Sequence, residues 1–237
     1  QGQYWEGLSS MSHCQLETAD TNLTVFVVEN DQSLRLGIES LLNSVGHRVK
    51  GFASAEAFLD ARNSSEPGCL VLDVRLSGIS GLQLQKMLIT AGDRIPTIFI
   101  SANGDIPMCA QAIKAGALDF LTKPFREQDI LELVQTALNG EVARQKRDCE
   151  LSKALGNYRL LTTREREVMK MVVSGQINKK ISGQLGISEV TVKIHRGNVM
   201  EKMGANYLPE LVRLFDLIEP HIASETPISS RGHKLEK

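Results

Sequence analysis

The sequence predicts an α/β domain with a doubly wound, five-stranded parallel sheet, followed by a small all-α domain that contains a helix-turn-helix. Two observations predict the first domain. Between residues 24 and 140, five short apolar runs alternate with amphipathic segments, which is typical of repeated βα units with right-handed crossovers. Polar side chains suited to chemistry follow four of these runs. Beyond residue 158 the pattern changes to short helices separated by glycines, which predicts the second domain.

The strands of the first domain are predicted from its apolar runs. They lie at residues 23–28, 49–52, 69–72, 97–100 and 119–121, and the helices at residues 31–44, 55–61, 81–90, 107–115 and 126–139. Such continuous apolar runs suit strands that are buried on both faces of a parallel sheet. Ligands of open α/β sheets bind beyond the carboxyl ends of the strands. The residues that follow the strands are therefore the first candidates for a functional site.

Carboxylate, hydroxyl and ammonium groups stand at these strand ends. Asp73 follows the third strand, Glu29 and Asn30 follow the first, and Ser101 and Lys123 follow the fourth and fifth. The ends of parallel strands meet at one edge, so we expect these side chains to converge. Taken singly each has an ordinary interpretation: a surface lysine, a helix-capping serine or a solvated strand-end charge.

Charge divides the chain into two modules. Residues 24–140 contain ten basic and thirteen acidic residues, whereas residues 159–203 contain nine basic and four acidic ones. We predict a disordered extension over residues 1–23, the α/β domain over 24–140, a helical linker over 141–157, the helix-turn-helix domain over 158–218 and a flexible tail over 219–237. A basic module next to an acidic one indicates a different partner, with nucleic acid as a candidate.

The second module begins with a helix-capping pattern, Thr162 or Thr163 before Glu165. A second short helix is predicted at residues 178–185, a third at 189–203 and a last one at 208–218. Two short helices and a glycine turn, followed by a third helix that carries basic residues, form the helix-turn-helix arrangement. The alternative interpretation is a solvated basic face on a small helical bundle.

The residues of the first domain resemble a known family. Glu29-Asn30, Asp73, Ser101 and Lys123-Pro124-Phe125 occur in the order and spacing of a bacterial response-regulator receiver domain, which has a flavodoxin-like fold. The phrases at residues 104–107 and 114–120 look like the FixJ-like branch of two-component regulators. In the second domain, the strings at residues 161–168 and 190–196, with Asn178-Lys179, are similar to the LuxR-type DNA-binding domain.

The resemblance implies the roles of the strand-end residues. Asp73 would be the phosphoacceptor, because a carboxylate can attack phosphorus and carry an acyl phosphate. Lys123 would pair with the phosphate, and Ser101 would donate its hydroxyl to a phosphoryl oxygen. Phe120 corresponds to an aromatic residue that turns inward when that hydroxyl moves, and Lys123-Pro124 to a peptide bond that the family holds in cis.

The resemblance also implies a Mg²⁺ site formed by Glu29, Asn30, Asp73 and the main-chain carbonyl of Arg75. This chain departs from the family pattern there, since two acidic residues normally follow the first strand. Asn30 keeps a carbonyl oxygen but removes one negative charge, so we expect weaker Mg²⁺ binding. Asp31 is expected to point away from the site.

For the second domain, the resemblance implies that the helix over residues 189–203 enters the major groove of DNA. Lys193 and Ile194 would face base edges. Asn178, Lys179, Thr191 and Arg196 would lie near phosphates or the groove rim. Phosphate contacts supply affinity that does not depend on sequence, and only a few side chains read bases.

We therefore predict a transcriptional response regulator that is not an enzyme, with DNA, a sensor histidine kinase and a second copy of the chain as partners. No apolar run approaches the roughly 18 residues of a membrane-spanning helix, so the expected location is the cytoplasm. One alternative is a pseudo-receiver regulated without phosphorylation, because Glu29 and Asn30 replace the usual acidic pair. A lower-ranked alternative is a phosphatase with Asp73 as nucleophile, although Arg75 is not the second carboxylate that a general acid would require.

Overall fold

A computed structural model describes residues 23–102 and 106–223, with side chains for all of these except residues 106–109. Residues 1–22 of the extension predicted over residues 1–23, and the part of the tail beyond residue 223, lie outside the described residues. The chain divides into two compact units, which separate between Gln145 and Lys146. Each unit has its own apolar core.

The first unit confirms the predicted parallel sheet. Its strands are β1 (Thr24–Val28), β2 (Arg48–Phe52), β3 (Gly68–Asp73), β4 (Thr97–Ser101) and β5 (Asp119–Thr122), in the spatial order β2-β1-β3-β4-β5. The helices are α1 (Gln32–Ser44), α2 (Ala55–Ala61), α3 (Gly81–Thr90), α4 (Ile106–Lys114) and α5 (Glu127–Arg159). Every neighbouring pair of strands is parallel, as crossover helices require.

Both faces of the sheet are covered by helices. Side chains of β1, β3 and β4 alternate between two buried clusters, one packed by α1 and α5 and the other by α2, α3 and α4. These three strands are buried along their whole length, as their apolar runs predict. Their carboxyl ends are therefore fixed side by side, with Asp73 paired to Ile100 and Ser101 paired to Thr122 in the strand register.

The helix α5 is much longer than the segment predicted over residues 126–139. It continues to Arg159 without a break, so residues 141–157, predicted as a helical linker that extends it, are part of the same helix. Residues 146–159 of this helix belong to the second unit, and Ala154 and Tyr158, which are 2% and 8% exposed, form part of that unit's core.

The second unit contains α6 (Thr163–Val173), α7 (Asn178–Leu185), α8 (Glu189–Met203) and α9 (Leu208–Ile222). Its core is formed by apolar residues from all four helices, including Val168, Ile181, Val192, Val199 and Leu211. The last helix runs four residues past the predicted end at Ile218. Pro220 stands within its final turn, where a missing N–H removes only one hydrogen bond.

Local capping explains the turns of this unit. Thr162 and Glu165 form the predicted capping box at the start of α6. Gly186 ends α7 with φ +65°, a left-handed conformation that glycine adopts without strain. Ser188 then caps α8 by accepting a hydrogen bond from the amide of Thr191. The turn between α7 and α8 thus consists of residues 186–188, with a glycine that ends one helix and a serine that caps the next.

Glu165 links the start of α6 to the end of α8. Its carboxylate is 4% exposed and accepts hydrogen bonds from the Thr162 amide (2.9 Å) and from Lys202 Nζ (2.7 Å). Burial by itself raises the pKa of Glu165, but the hydrogen bonds from Lys202 and Thr162 outweigh it and lower the pKa to about 2.

Glu165→Gln should therefore lower the free energy of unfolding by roughly 2 kcal/mol at pH 7. A carboxyl whose pKa is lowered by folding stabilises the protein above its ordinary pKa of 4.5 and loses this contribution as the pH falls towards 2. Urea unfolding of wild type and variant at pH 7 and near pH 3 measures the difference, which should shrink at the lower pH. A difference that stays constant would contradict this electrostatic role.

Candidate functional site

Asp73 is the last residue of β3, and its side chain lies at the carboxyl edge of the sheet. It is 5% exposed. One carboxylate oxygen, Oδ1, accepts a hydrogen bond from the Arg75 amide at 2.9 Å, and the other, Oδ2, lies 2.7 Å from Lys123 Nζ. A Cβ at Gly81 would lie 2.2 Å from the Asp73 carbonyl oxygen, so only glycine fits where α3 begins. The turn after β3 thereby holds Asp73 close against α3.

Glu29, directly after β1, is fixed by hydrogen bonds to its main chain and its side chain. Its amide donates to the Phe52 carbonyl (3.1 Å), and its carbonyl accepts from Arg35 Nη1 (2.6 Å). Its carboxylate accepts from the Asp31 amide (3.1 Å) and from Lys123 Nζ (2.6 Å). The side chain is 1% exposed, and this burial raises the pKa of Glu29 although Lys123 and Asp31 lower it.

Lys123 lies between the two carboxylates. It follows β5, and its amide donates to the Ser101 carbonyl at 2.8 Å, which ties it to the end of β4. The Lys123–Pro124 bond is cis. Burial lowers the pKa of Lys123, but hydrogen bonds to Asp73 and Glu29 outweigh this and raise it. The ammonium is therefore charged at neutral pH and faces two carboxylates.

The other predicted residues lie around this centre. Ser101 is fully buried at the end of β4, Asn30 is exposed beside Glu29, and Phe120 is partly buried against the cluster that α2, α3 and α4 cover. Asp31 caps α1 by accepting from the Leu34 amide at 2.9 Å, so its carboxylate is engaged outside the site. Arg75 contributes its amide to Asp73.

The donor set suits Mg²⁺ chemically, since it offers carboxylate, amide and main-chain oxygens. Glu29 and Asp73 together carry two negative charges against one ammonium, so a hard cation would balance the remaining charge. Among residues 23–102 and 106–223, no cluster of three or more His, Cys, Asp or Glu side chains could hold a metal by itself. Asn30 and main-chain carbonyls would have to complete the coordination.

Sequence reasoning missed Arg35, which supports Glu29 from α1. Arg35 Nη1 binds the Glu29 carbonyl, and its Nε lies 3.9 Å from Glu39 Oε1. A Cβ at Gly51 would lie 1.6 Å from this Glu39 oxygen, so the glycine leaves the space that the carboxylate fills. A basic residue in the first turns of the helix that follows β1 is the sequence signal that could have identified Arg35.

The second unit presents its candidate DNA residues on α7 and α8. Lys179 and Lys193 are exposed, and Ile194 is 58% exposed. Arg196 Nη1 donates to Asn178 Oδ1 at 3.3 Å, which joins the two helices. The Thr191 hydroxyl lies 2.8 Å from Ser188 Oγ within the cap of α8.

Val190 was also missed by sequence reasoning. It is 68% exposed, on the same helix face as Ile194 four residues later. A helical projection of residues 189–203 is the signal that would have found it, because Val192, Val199 and Met203 account for the buried face.

Two family models match the chain. "Response regulator receiver domain" matches residues 25–135, and "Bacterial regulatory proteins, luxR family" matches residues 159–215. The response regulator protein TmoT of Ectopseudomonas mendocina is 43% identical over 200 residues, which cover 84% of this chain and 91% of that protein. The transcriptional regulatory protein FixJ of Azorhizobium caulinodans is 43% identical over 194 residues, covering 81% and 92%.

Two solved structures of response regulators are similar to this chain. The response regulator StyR superposes with a TM-score of 0.73 at 44% identity, covering 81% of this chain and 98% of that one. Full-length FixJ from B. japonicum gives 0.53 at 34% identity, covering 83% and 97%. This chain belongs to the response regulators that join a receiver domain to a LuxR-type DNA-binding domain, the transcriptional regulators of two-component systems. Each helix in residues 23–102 and 106–223 is either too short or too polar to span a lipid bilayer.

Replacing Lys123 with methionine should destabilise the receiver domain by roughly 2–4 kcal/mol at pH 7, because two buried carboxylates would then lack their cation. Urea unfolding in the presence of a chelator measures the loss. Adding Asp73→Asn to Lys123→Met removes one of the two anions and should recover part of the stability. An unchanged unfolding midpoint for the single variant would contradict the arrangement.

Proposed function

We propose that this response regulator is switched by phosphorylation of Asp73 and that the switch controls DNA binding by α8. The observation that carries the proposal is the convergence of Asp73, Glu29 and Lys123, two carboxylates within 2.7 Å of one ammonium, on a chain that also bears a LuxR-type domain. Receiver domains generally use Mg²⁺ for phosphorylation. Glu29, Asn30, Asp73 and the Arg75 carbonyl are the residues that would hold it.

In the proposed step, an Asp73 carboxylate oxygen attacks the phosphorus of a phosphohistidine on the sensor kinase. The new O–P bond forms as the N–P bond breaks, and the histidine nitrogen leaves with its electron pair. Lys123 already touches one Asp73 oxygen, so its ammonium is placed to pair with the transferred phosphoryl group. Mg²⁺, when bound, neutralises charge that develops on the phosphoryl oxygens.

The phosphoryl group would act by adding negative charge beside Lys123 and Ser101. Ser101 closes β4 and binds the main chain of Lys123 through its carbonyl, while Phe120 lies in the adjoining strand β5. A shift of the Ser101 hydroxyl towards phosphate would therefore be felt along β5. We infer that this change favours self-association, so that two LuxR-type domains bind two half-sites of DNA in the cytoplasm.

Incubation with acetyl phosphate and Mg²⁺ should add one phosphoryl group to the wild-type chain, because Asp73 is positioned beside a charged ammonium. Intact-mass spectrometry measures the adduct, and a chelator should prevent it. Asp73→Asn should abolish the adduct, whereas Asp60→Asn, an exposed aspartate on α2, should leave it unchanged. A wild-type chain that gains no mass under these conditions would contradict the proposal.

Lys179→Ala should weaken DNA binding about equally for all sequences and reduce the slope of log affinity against log salt by about one, as expected for a lost phosphate contact. Lys193→Ala should instead relax the preference at one base pair, because Lys193 faces base edges in the proposal. Titrations of duplexes selected by the wild-type chain from a random pool measure both effects. Lys86→Ala, an exposed lysine of α3, is the matched control. The same affinity, salt dependence and base preference in all three variants would refute the roles proposed for Lys179 and Lys193.

A further inference from the structure

The outward face of α8 carries two large exposed apolar side chains, Val190 and Ile194. Residues 190, 193, 194, 197 and 201 share this face because they are spaced three or four apart. Val190 and Ile194 are 68% and 58% exposed, although burial of each would be favourable. Lys193 is the only cation on this face, and Glu201 lies at its far end. Two large apolar side chains held in water on a helix that is expected to contact DNA require an explanation.

Gly197 leaves the middle of this face without a side chain. A Cβ built there meets no atom within 4 Å, so packing inside the protein does not require glycine. Glycine inside a helix also costs up to about 1 kcal/mol relative to alanine. The bare helix backbone at Gly197 permits closer approach of a partner from outside the domain.

We propose that Val190 and Ile194 read the 5-methyl groups of thymines in the major groove, and that Gly197 lets α8 approach the bases closely. The inference rests on the proposed DNA binding and adds its specificity. Thymine is the only base that presents an apolar group in the major groove. Side chains without hydrogen-bonding groups cannot read donors or acceptors, but they can cover a methyl group and release the water around it.

The surrounding charge favours DNA over a protein partner for this face. Lys179 and Lys193 are exposed, and Arg196 lies next to Asn178 at the junction of α7 and α8. Residues 159–203 carry nine basic against four acidic side chains. Two exposed apolar side chains within a cationic unit are complementary to a methyl-bearing groove between two rows of phosphates.

The test replaces thymine by uracil, which deletes only the methyl group. Duplexes are selected from a random pool by the full chain after treatment with acetyl phosphate, and each thymine is then exchanged singly. Wild type should lose about fourfold in affinity at each contacted thymine, the effect of one buried methyl group. Ile194→Ala and Val190→Ala should each abolish the loss at a different thymine. Leu160 is 67% exposed but lies outside α8, so Leu160→Ala should show the same losses of affinity on uracil exchange as the wild type.

The possible outcomes separate the inference from the proposed function. Tight, sequence-specific binding that is insensitive to every uracil exchange would overturn the inference and leave DNA binding intact. Failure to select any duplex would overturn both. Variants at positions 190 and 194 that change self-association of the chain while retaining all uracil effects would assign the face to a protein contact and reject the methyl readout.

Gly197→Ala provides an independent readout. The added Cβ meets open space and a helix favours alanine, so the melting temperature should rise. Affinity for the selected duplex should fall, because the methyl group would enter the space that the DNA occupies. A variant that is both more stable and equally tight in DNA binding would contradict close approach at this position.

Discussion

The proposed function of the first domain depends on the Lys123 ammonium, which lies between the buried carboxylates of Glu29 and Asp73. The distances of 2.6 and 2.7 Å from this ammonium to the two groups require that the ends of β1, β3 and β5 lie at one edge of the sheet. The burial of β1, β3 and β4 on both faces secures this edge. One cation against two anions leaves negative charge, which is the electrostatic condition for recruiting a divalent metal.

The fold joins two residues to which the proposal gives a role in sensing the phosphate. Ser101 is the last residue of β4, and its carbonyl accepts a hydrogen bond from the amide of Lys123, which follows β5. In the second domain, contacts at both ends of α8 hold this helix in place. The Ser188 cap and the contact between Lys202 and Glu165 fix α8, whose outward face is the one proposed to bind DNA.

Sequence reasoning predicted the sheet, the helix-turn-helix and the meeting of Asp73 with Lys123, because apolar runs and strand-end chemistry are local signals. It could not predict that Glu29 would be buried while Asn30 is exposed, since this depends on hydrogen bonds from Arg35, Asp31 and Lys123. The continuation of α5 beyond residue 139 was predicted as a helical linker, because the charged segment at residues 141–157 lacks proline and favours helix; that α5 and this linker form one helix to Arg159 was not. Exposure of Val190 required the packing of the other helices to be known.

The most direct test of the account compares the affinity of the full chain for a selected duplex before and after phosphorylation with acetyl phosphate and Mg²⁺. Fluorescence anisotropy at fixed salt provides the measurement, with Asp73→Asn treated in parallel. The account predicts tighter binding by the phosphorylated wild type and no change for Asp73→Asn. Equal affinity of the two wild-type forms, with the adduct verified on the chain, would contradict the claim that Asp73 controls DNA binding.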